Sequence, residues 1–316
     1  MTTHLRLSGA CRKLERALVH LDELGNRLEA ISTAAKLQLS TADEEVQRHR
    51  LGTHHLFRCG ALLDLDPDLG LVVGDYVHNL RSALDHLAWE LVRNGSMKKG
   101  SKHKMKQVQF PIYSIGRSTQ SNKKTFASEI GKNLPGVSRE QTRIAKAYQP
   151  YHHGRWHLGA LATLSNRDKH RVLTPTSLVA GLIQRKHLSV TKGHIVAWQF
   201  LLKDGQPVNK RTPYLEVVAS AADAEVMMNT TLQTRVAFRE GREKIHRARD
   251  LEAIGEVVAE IIGKMSQQWG TSPDLRVCQA WPEKGREALG LPSTSTPGHF
   301  AVLTGMGPPG AWDDPH

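Results

Sequence analysis

The stretch from Val72 to Arg93, VVGDYVHNLRSALDHLAWELVR, predicts a long amphipathic helix. At about 100° per residue, its apolar stripe is about 80° wide and contains Val73, Val77, Leu80, Leu84, Leu87 and Leu91. The opposite face holds Asp75, Asn79, Ser82 and His86, with His78, Arg81 and Asp85 along one flank. A solvated helix face normally carries Lys and Glu, yet this face has neither between Gly74 and Trp89. We therefore expect this polar face to contact something other than water.

The composition is that of a cytoplasmic globular protein. Of 316 residues, 39% are hydrophobic and 23% are charged, and no apolar run approaches the roughly 18 residues that span a bilayer. The first residues, MTTHLRLSGACRK, contain no secretory h-region,. Cys11, Cys59 and Cys278 form no C-x-x-C pair, which favours a reducing compartment over a disulfide framework. We expect no membrane partner.

The formal net charge of +12 is concentrated in one segment. Between Lys98 and Arg171 there are 16 Lys and Arg against 3 Asp and Glu. Such a concentration is the electrostatic footprint of a protein that binds phosphate, with RNA as one candidate partner. The alternative is a solvated basic loop that only aids solubility.

Outward from the central helix, the periodicity predicts an α+β fold. Residues 1–180 form an N-terminal helical bundle region that contains both polar motifs, and residues 43–50 are predicted to add further helix. Beyond Lys186 the apolar period changes from 3.6 to 2, so residues 181–270 are predicted to form an antiparallel β-meander with a C-terminal helix over 251–269. Residues 271–316 hold 7 of the 14 prolines and are predicted to be a disordered tail.

A second polar block lies downstream, with Gln149-Pro150-Tyr151-His152 followed by Asn166 and then by Asp168-Lys169-His170-Arg171. The stretch from Gly74 to His86 reads G-D-x-x-H-N-L-R-S-A-L-D-H, and the stretch from Asn166 to Arg171 reads N-x-D-K-H-R. Together they resemble a widespread, uncharacterised bacterial family that carries both motifs. That resemblance covers roughly residues 50–175 and implies no known activity. It does imply that the two blocks pack against each other.

Arg81 and His86 also resemble the R-x4-H motif of the HEPN superfamily of helical ribonucleases and nucleotide-binding modules. The resemblance implies that Arg81 stabilises the phosphorane charge and that His86 acts as the acid or base, without a metal and across a homodimer. An imidazole and a guanidinium suit these roles. On a straight helix the two side chains lie about 140° apart, which also favours a site completed by a second copy. His170 is a third catalytic candidate that could join His86.

Other residues of the two blocks are candidate binding residues for a phosphate-bearing ligand, namely Asp75, His78, Asn79, Asp85, Asp168, Lys169 and Arg171. A non-enzymatic interaction module is the alternative, in which the polar face is a structural network. Arg81 and Asp85 would then form an i, i+4 pair, and Lys169 and Arg171 would only favour a helix C-terminus.

Metal and cofactor sites are not predicted. The 17 histidines include no H-E-x-x-H pair and have no cysteine ligand set beside them, so a metal-dependent hydrolase is the third choice. The chain also lacks the G-x-x-x-x-G-K-[ST] and G-x-S-x-G motifs, and it has no G-x-G-x-x-G after a predicted strand, so the common nucleotide and acyl chemistries are not indicated.

Overall fold

The structure is a computed structural model that describes residues 7–38, 43–49, 52–59, 65–95, 108–113, 130–168, 173–179, 183–203, 205–209, 211–228, 234–240, 244–267 and 275–291. The helices are α1 (Ser8–Gln38), α2 (Asp68–Asn94), α3 (Arg139–Ala147), α4 (His157–Asp168), α5 (Ala248–Ser266) and α6 (Arg276–Ala288). The strands are β1 (Asp43–His49), β2 (Gly52–Arg58), β3 (Thr174–Val179), β4 (Leu188–Val190), β5 (Ile195–Phe200), β6 (Pro207–Val208), β7 (Pro213–Ala219), β8 (Val226–Met228), β9 (Thr234–Glu240) and β10 (Lys244–Arg247). The predicted α+β class, with N-terminal helices, antiparallel sheets and a C-terminal helix, is confirmed.

Helix α2 is the centre of the helical core. It contacts α1, α4 and α5, while α6 packs on α1 and α5. The predicted apolar stripe is buried, and its residues Leu80, Leu84, Leu87 and Leu91 are fully inaccessible to solvent. The helix begins after Pro67, whose fixed φ suits a helix N-terminus,. The spacing of the apolar residues therefore determines which face of α2 packs into the core.

The strands form antiparallel sheets with an order that a simple meander would not give. One sheet has the order β1-β2-β7-β5, a second has β10-β9-β3-β6, and β4 pairs with β8. Residues 43–50 were predicted to be helical, and that prediction is wrong because β1 pairs with β2 along its whole length. Hairpin pairing with β2, the next strand along the chain, outweighs the weak local helix propensity of this segment,. Strands from before α2 thus complete a sheet with β7 from the C-terminal half.

The predicted disordered tail is corrected for part of its length. Helix α6 lies within it, and Trp281 on α6 is fully buried. Pro282 and Gly285 lower the helix propensity of this segment, which hid the helix from sequence analysis. Burial of an indole side chain supplies the compensating free energy. Residues 292–316 lie outside the described residues.

The described helices include none that is both long and apolar enough to cross a lipid bilayer. The three cysteines, Cys11, Cys59 and Cys278, are buried free thiols.

A buried carboxyl group lies where α2, α5 and α6 meet. The Tyr76 hydroxyl donates to the Leu251 carbonyl at 2.7 Å, and the absence of a side chain at Gly255 leaves room for Trp281. Glu252 is only 6% exposed, and its Oε1 has no hydrogen-bond partner among the described residues. Burial, reinforced by the nearby charge of Glu256 and opposed by Arg286, raises the pKa of Glu252 to about 7,.

Replacement of this carboxyl group should change the pH dependence of stability. The pKa of Glu252 is higher in the folded chain than its ordinary value of 4.5. The unfolded chain therefore loses this proton first as pH rises. Stability from this group is fully present below about pH 4.5 and is lost by about pH 7, by up to about 3 kcal/mol. Glu252→Gln should flatten this decline, as measured by urea unfolding at pH 5 and pH 8.

The exposed Glu283→Gln on α6 is the matched control. An equally steep decline in Glu252→Gln and in the wild type would show that Glu252 is not the responsible group.

Candidate functional site

The polar face of α2 divides into two clusters with different surroundings. In the first, Arg81 binds Asp85 through two hydrogen bonds, Nε to Oδ2 at 3.2 Å and Nη2 to Oδ1 at 2.9 Å. Arg81 Nη2 also donates to the Phe110 carbonyl at 2.9 Å, and the Phe110 amide donates to Asp85 Oδ1 at 2.9 Å. We call Arg81, Asp85 and the Phe110 backbone the Phe110 clamp.

The Phe110 clamp holds the extended segment 108–113 against the helical core. The Phe110 side chain is fully buried, so its backbone amide and carbonyl need partners inside the protein. Gln149 secures the other end of the segment, because its amide donates to the Pro111 carbonyl and its Oε1 accepts from the Tyr113 amide, each at 2.9 Å. Arg81 and Asp85 therefore stabilise the position of segment 108–113 on α2.

Arg81 and His86 have different neighbours within one chain. Arg81 contacts segment 108–113, and only 17% of its side chain is exposed. His86 lies on α2 beside the first turns of α1, where a Cβ added at Gly9 would be 2.8 Å from its Nδ1. The two side chains do not share a partner among the described residues. Their joint catalytic role stays a prediction that depends on a second copy.

The second cluster lies near the start of α2, and we call it the Gly74 cluster, formed by Gly74, Asp75, His78 and Asp168. Asp168 is the last residue of α4, and its carboxylate lies directly on the backbone of α2. A Cβ added at Gly74 would be 2.0 Å from Asp168 Oδ1, a distance that no side chain permits. A glycine inside a helix costs about 1 kcal/mol relative to alanine, and here it allows the close approach.

The carboxyl group of Asp168 is held in an environment that disfavours its charge. Burial raises the pKa of Asp168, the nearby Asp75 carboxylate raises it further, and His78 opposes the change,. The C-terminus of α4 acts in the same direction, because a helix C-terminus carries partial negative charge. Asp75 and His78 are exposed, so the cluster is open to solvent on the side of α2.

Helix α1 brings further polar groups to this end of α2. Asn79 is buried, and its side-chain amide donates to the Asp75 carbonyl at 2.8 Å while its Oδ1 accepts from Lys13 Nζ at 3.4 Å. Burial lowers the pKa of His20, with Asp75 opposing the change. Lys13, a residue that the sequence analysis missed, therefore supplies a positive charge beside the cluster.

The cluster has the components of metal-free acid–base chemistry. A carboxyl group with a raised pKa holds its proton at higher pH and can donate it. The exposed imidazole of His78 is a side chain of the kind that acts as a general base,. Among the described residues, no group of three or more His, Cys, Asp and Glu side chains could hold a metal ion.

The predicted site residues thus fall into separate places. Asp75, His78 and Asp168 come together with Asn79 behind them, whereas Arg81 and Asp85 form the Phe110 clamp. Lys169, His170 and Arg171 lie outside the described residues and follow Asp168 directly in sequence. The signal that sequence analysis could have used is Gly74, an unfavourable residue inside a strongly predicted helix.

No protein-family model, no curated protein and no solved structure matches this chain. The two family resemblances of the sequence motifs therefore stay predictions.

The Phe110 clamp should be detectable as a contribution to folding. Arg81→Ala leaves Asp85 and the Phe110 carbonyl without a charged donor, so we expect a loss of about 1–3 kcal/mol in the free energy of unfolding. The control is Arg143→Ala, which removes an exposed ion pair with Glu140 and should leave the stability close to that of the wild type, because exposed ion pairs contribute little. Urea unfolding measures both. Equal stability of the two variants would contradict a structural role for Arg81.

Proposed function

We propose that this chain is a cytoplasmic RNA-binding protein that cleaves RNA without a metal at the Gly74 cluster. The observation that carries the proposal is the position of Asp168, whose carboxyl group lies on Gly74 and interacts with His78 and Asp75. A second support is the basic segment from Lys98 to Arg171, with its 16 Lys and Arg against 3 Asp and Glu. Metal-free RNA cleavage requires positive charge that attracts the RNA phosphates and an acid–base pair that transfers protons.

The reaction assigns a separate role to each group. His78 takes the proton of the ribose 2′-hydroxyl as the 2′-oxygen attacks the adjacent phosphorus. Asp168 gives its proton to the departing 5′-oxygen, so the products are a 2′,3′-cyclic phosphate and a 5′-hydroxyl end. Lys13 provides positive charge near the cluster, which favours the extra negative charge of the phosphorane. Lys169 and Arg171 follow Asp168 in sequence and are proposed to bind the flanking phosphates.

A non-enzymatic interaction module is the second candidate, and the Phe110 clamp favours it. Arg81, Asp85 and the Phe110 backbone satisfy one another through four hydrogen bonds. That arrangement is what a structural network requires. A HEPN-like homodimer is a third form of the proposal, in which Arg81 and His86 of two copies would combine.

Cleavage in the presence of EDTA tests the proposal. Purified protein should convert single-stranded RNA to fragments that end in 2′,3′-cyclic phosphate. His78→Ala and Asp168→Asn should each lower the single-turnover rate by about 10²–10⁴-fold, because each removes a proton-transfer group. Their thermal unfolding should stay close to that of the wild type. His194→Ala, which changes an exposed histidine near β5, is the matched control.

Absence of cleavage, or unchanged rates in His78→Ala and Asp168→Asn, would overturn the proposed reaction. Loss of cleavage only in Arg81→Ala and His86→Ala would show that the HEPN-like pair, and not the Gly74 cluster, cleaves the RNA.

A further inference from the structure

The connection between α3 and α4 contains several aromatic rings, of which Trp156 is exposed, and the proposed cleavage does not use them. We call it the aromatic loop; it consists of residues Tyr148 to His157, YQPYHHGRWH. Trp156 is 39% exposed, and its ring stacks on His157 with the ring centres 4.2 Å apart and the planes 24° apart. Tyr151 and His152 form a second ring pair at 4.6 Å. The Trp156 ring is therefore partly exposed at the surface, in the same loop as the half-buried Tyr151.

The aromatic loop lies in a stretch without acidic residues. From Gln141 to Arg167 the sequence has four Lys and Arg, three His and no Asp or Glu. The Arg155 guanidinium lies 4.9 Å from the centre of the Tyr148 ring. The acids that face the loop come from α5: Glu260 is paired with Lys264 at 2.6 Å, and Asp250 acts on His157. The surface therefore combines aromatic faces with positive charge.

The backbone holds the aromatic loop in place. Gln149 is fully buried, and its amide donates to the Ala145 and Pro111 carbonyls at 2.9 Å each. Gly154 has a φ of +76°, the left-handed conformation that glycine adopts without strain,, and the turn leads directly into Arg155 and Trp156. A ligand that stacks on Trp156 therefore meets a loop whose backbone is held by these contacts, which lowers the entropy lost on binding.

We propose that the aromatic loop binds unpaired bases of single-stranded RNA, with a base stacked on Trp156 and a neighbouring phosphate at Arg155. The RNA identity of the ligand rests on the proposed function. Aromatic faces beside cations are the common means by which proteins bind single strands, since every base has a π face and every linkage carries a negative charge. In a duplex those base faces are covered, so a duplex does not fit.

The position of the aromatic loop relative to the Gly74 cluster supports the same ligand. The loop leads into α4 at His157, and Asp168 ends that helix. Twelve helical residues span about 18 Å. The exposed residues between the two ends include Thr163 and Asn166, which are polar and uncharged. Residues 157–167 contain no acidic side chain, so a single strand stacked at Trp156 can extend along α4 to Asp168.

Binding of a 2′-O-methyl RNA oligonucleotide tests this proposal separately from cleavage, because the probe lacks the attacking 2′-hydroxyl. We expect the wild type to bind the single strand with quenching of tryptophan fluorescence. Trp156→Ala should weaken binding by about 10- to 100-fold, while Trp156→Phe should retain most of the affinity. The matched control is Trp198→Ala on β5, which removes an indole of similar exposure, 37%, and should bind normally. Thermal unfolding checks that all variants are folded.

Several results would overturn the aromatic-loop proposal: no binding by the wild type, equal affinity for the blunt duplex of the same sequence, or wild-type affinity in Trp156→Ala. Trp156-dependent binding without any RNA cleavage would support the loop and overturn only the cleavage proposal. RNA cleavage and RNA binding that are both unaffected by Trp156→Ala would support the cleavage proposal and overturn the aromatic-loop proposal.

Discussion

Burial of α2 is the constraint on which the rest of the structure depends. Fifteen of its 27 residues are buried. Their apolar surface is removed from water only when α1, α4 and α5 pack against α2. Once those helices are in place, the polar groups of α2 meet different neighbours, and His86 lies beside the first turns of α1. Those near the middle meet segment 108–113, and those near the start meet the end of α4. The position of each polar residue along α2 therefore decides its role.

The two clusters differ in what their charges do. In the Phe110 clamp, opposite charges and backbone groups satisfy one another, which fixes the geometry but adds modest net stability. In the Gly74 cluster, Asp75 and Asp168 bring two carboxyl groups together, and the pKa of Asp168 rises through burial and through that proximity. Perturbed pKa values cluster at functional sites, and the Gly74 cluster is open to solvent. This contrast is why the proposed reaction uses His78 and Asp168.

Sequence periodicity predicted α2 and α5 because each buries a continuous apolar stripe. The juxtaposition of the two polar blocks was predicted from their resemblance to one family, and the contact between Gly74 and Asp168 agrees with it. The i, i+4 spacing predicted the pairing of Arg81 with Asp85, which the structure shows,. The second partner of Arg81 could not be predicted, since the Phe110 carbonyl is 29 residues away and has no side-chain signature. Strand β1 and helix α6 were missed because tertiary pairing and the burial of Trp281 outweigh their local propensities.

The central claim is that Gly74 admits the Asp168 carboxyl group to a partly buried position against α2. The most direct measurement is the pKa of Asp168 from side-chain ¹³C NMR titration in the wild type and in Gly74→Ala. The account predicts a pKa above the usual value of 3.8 in the wild type and a lower one in Gly74→Ala, since the added methyl group forces the carboxylate into water. An ordinary pKa in the wild type, or the same raised pKa in both proteins, would contradict it.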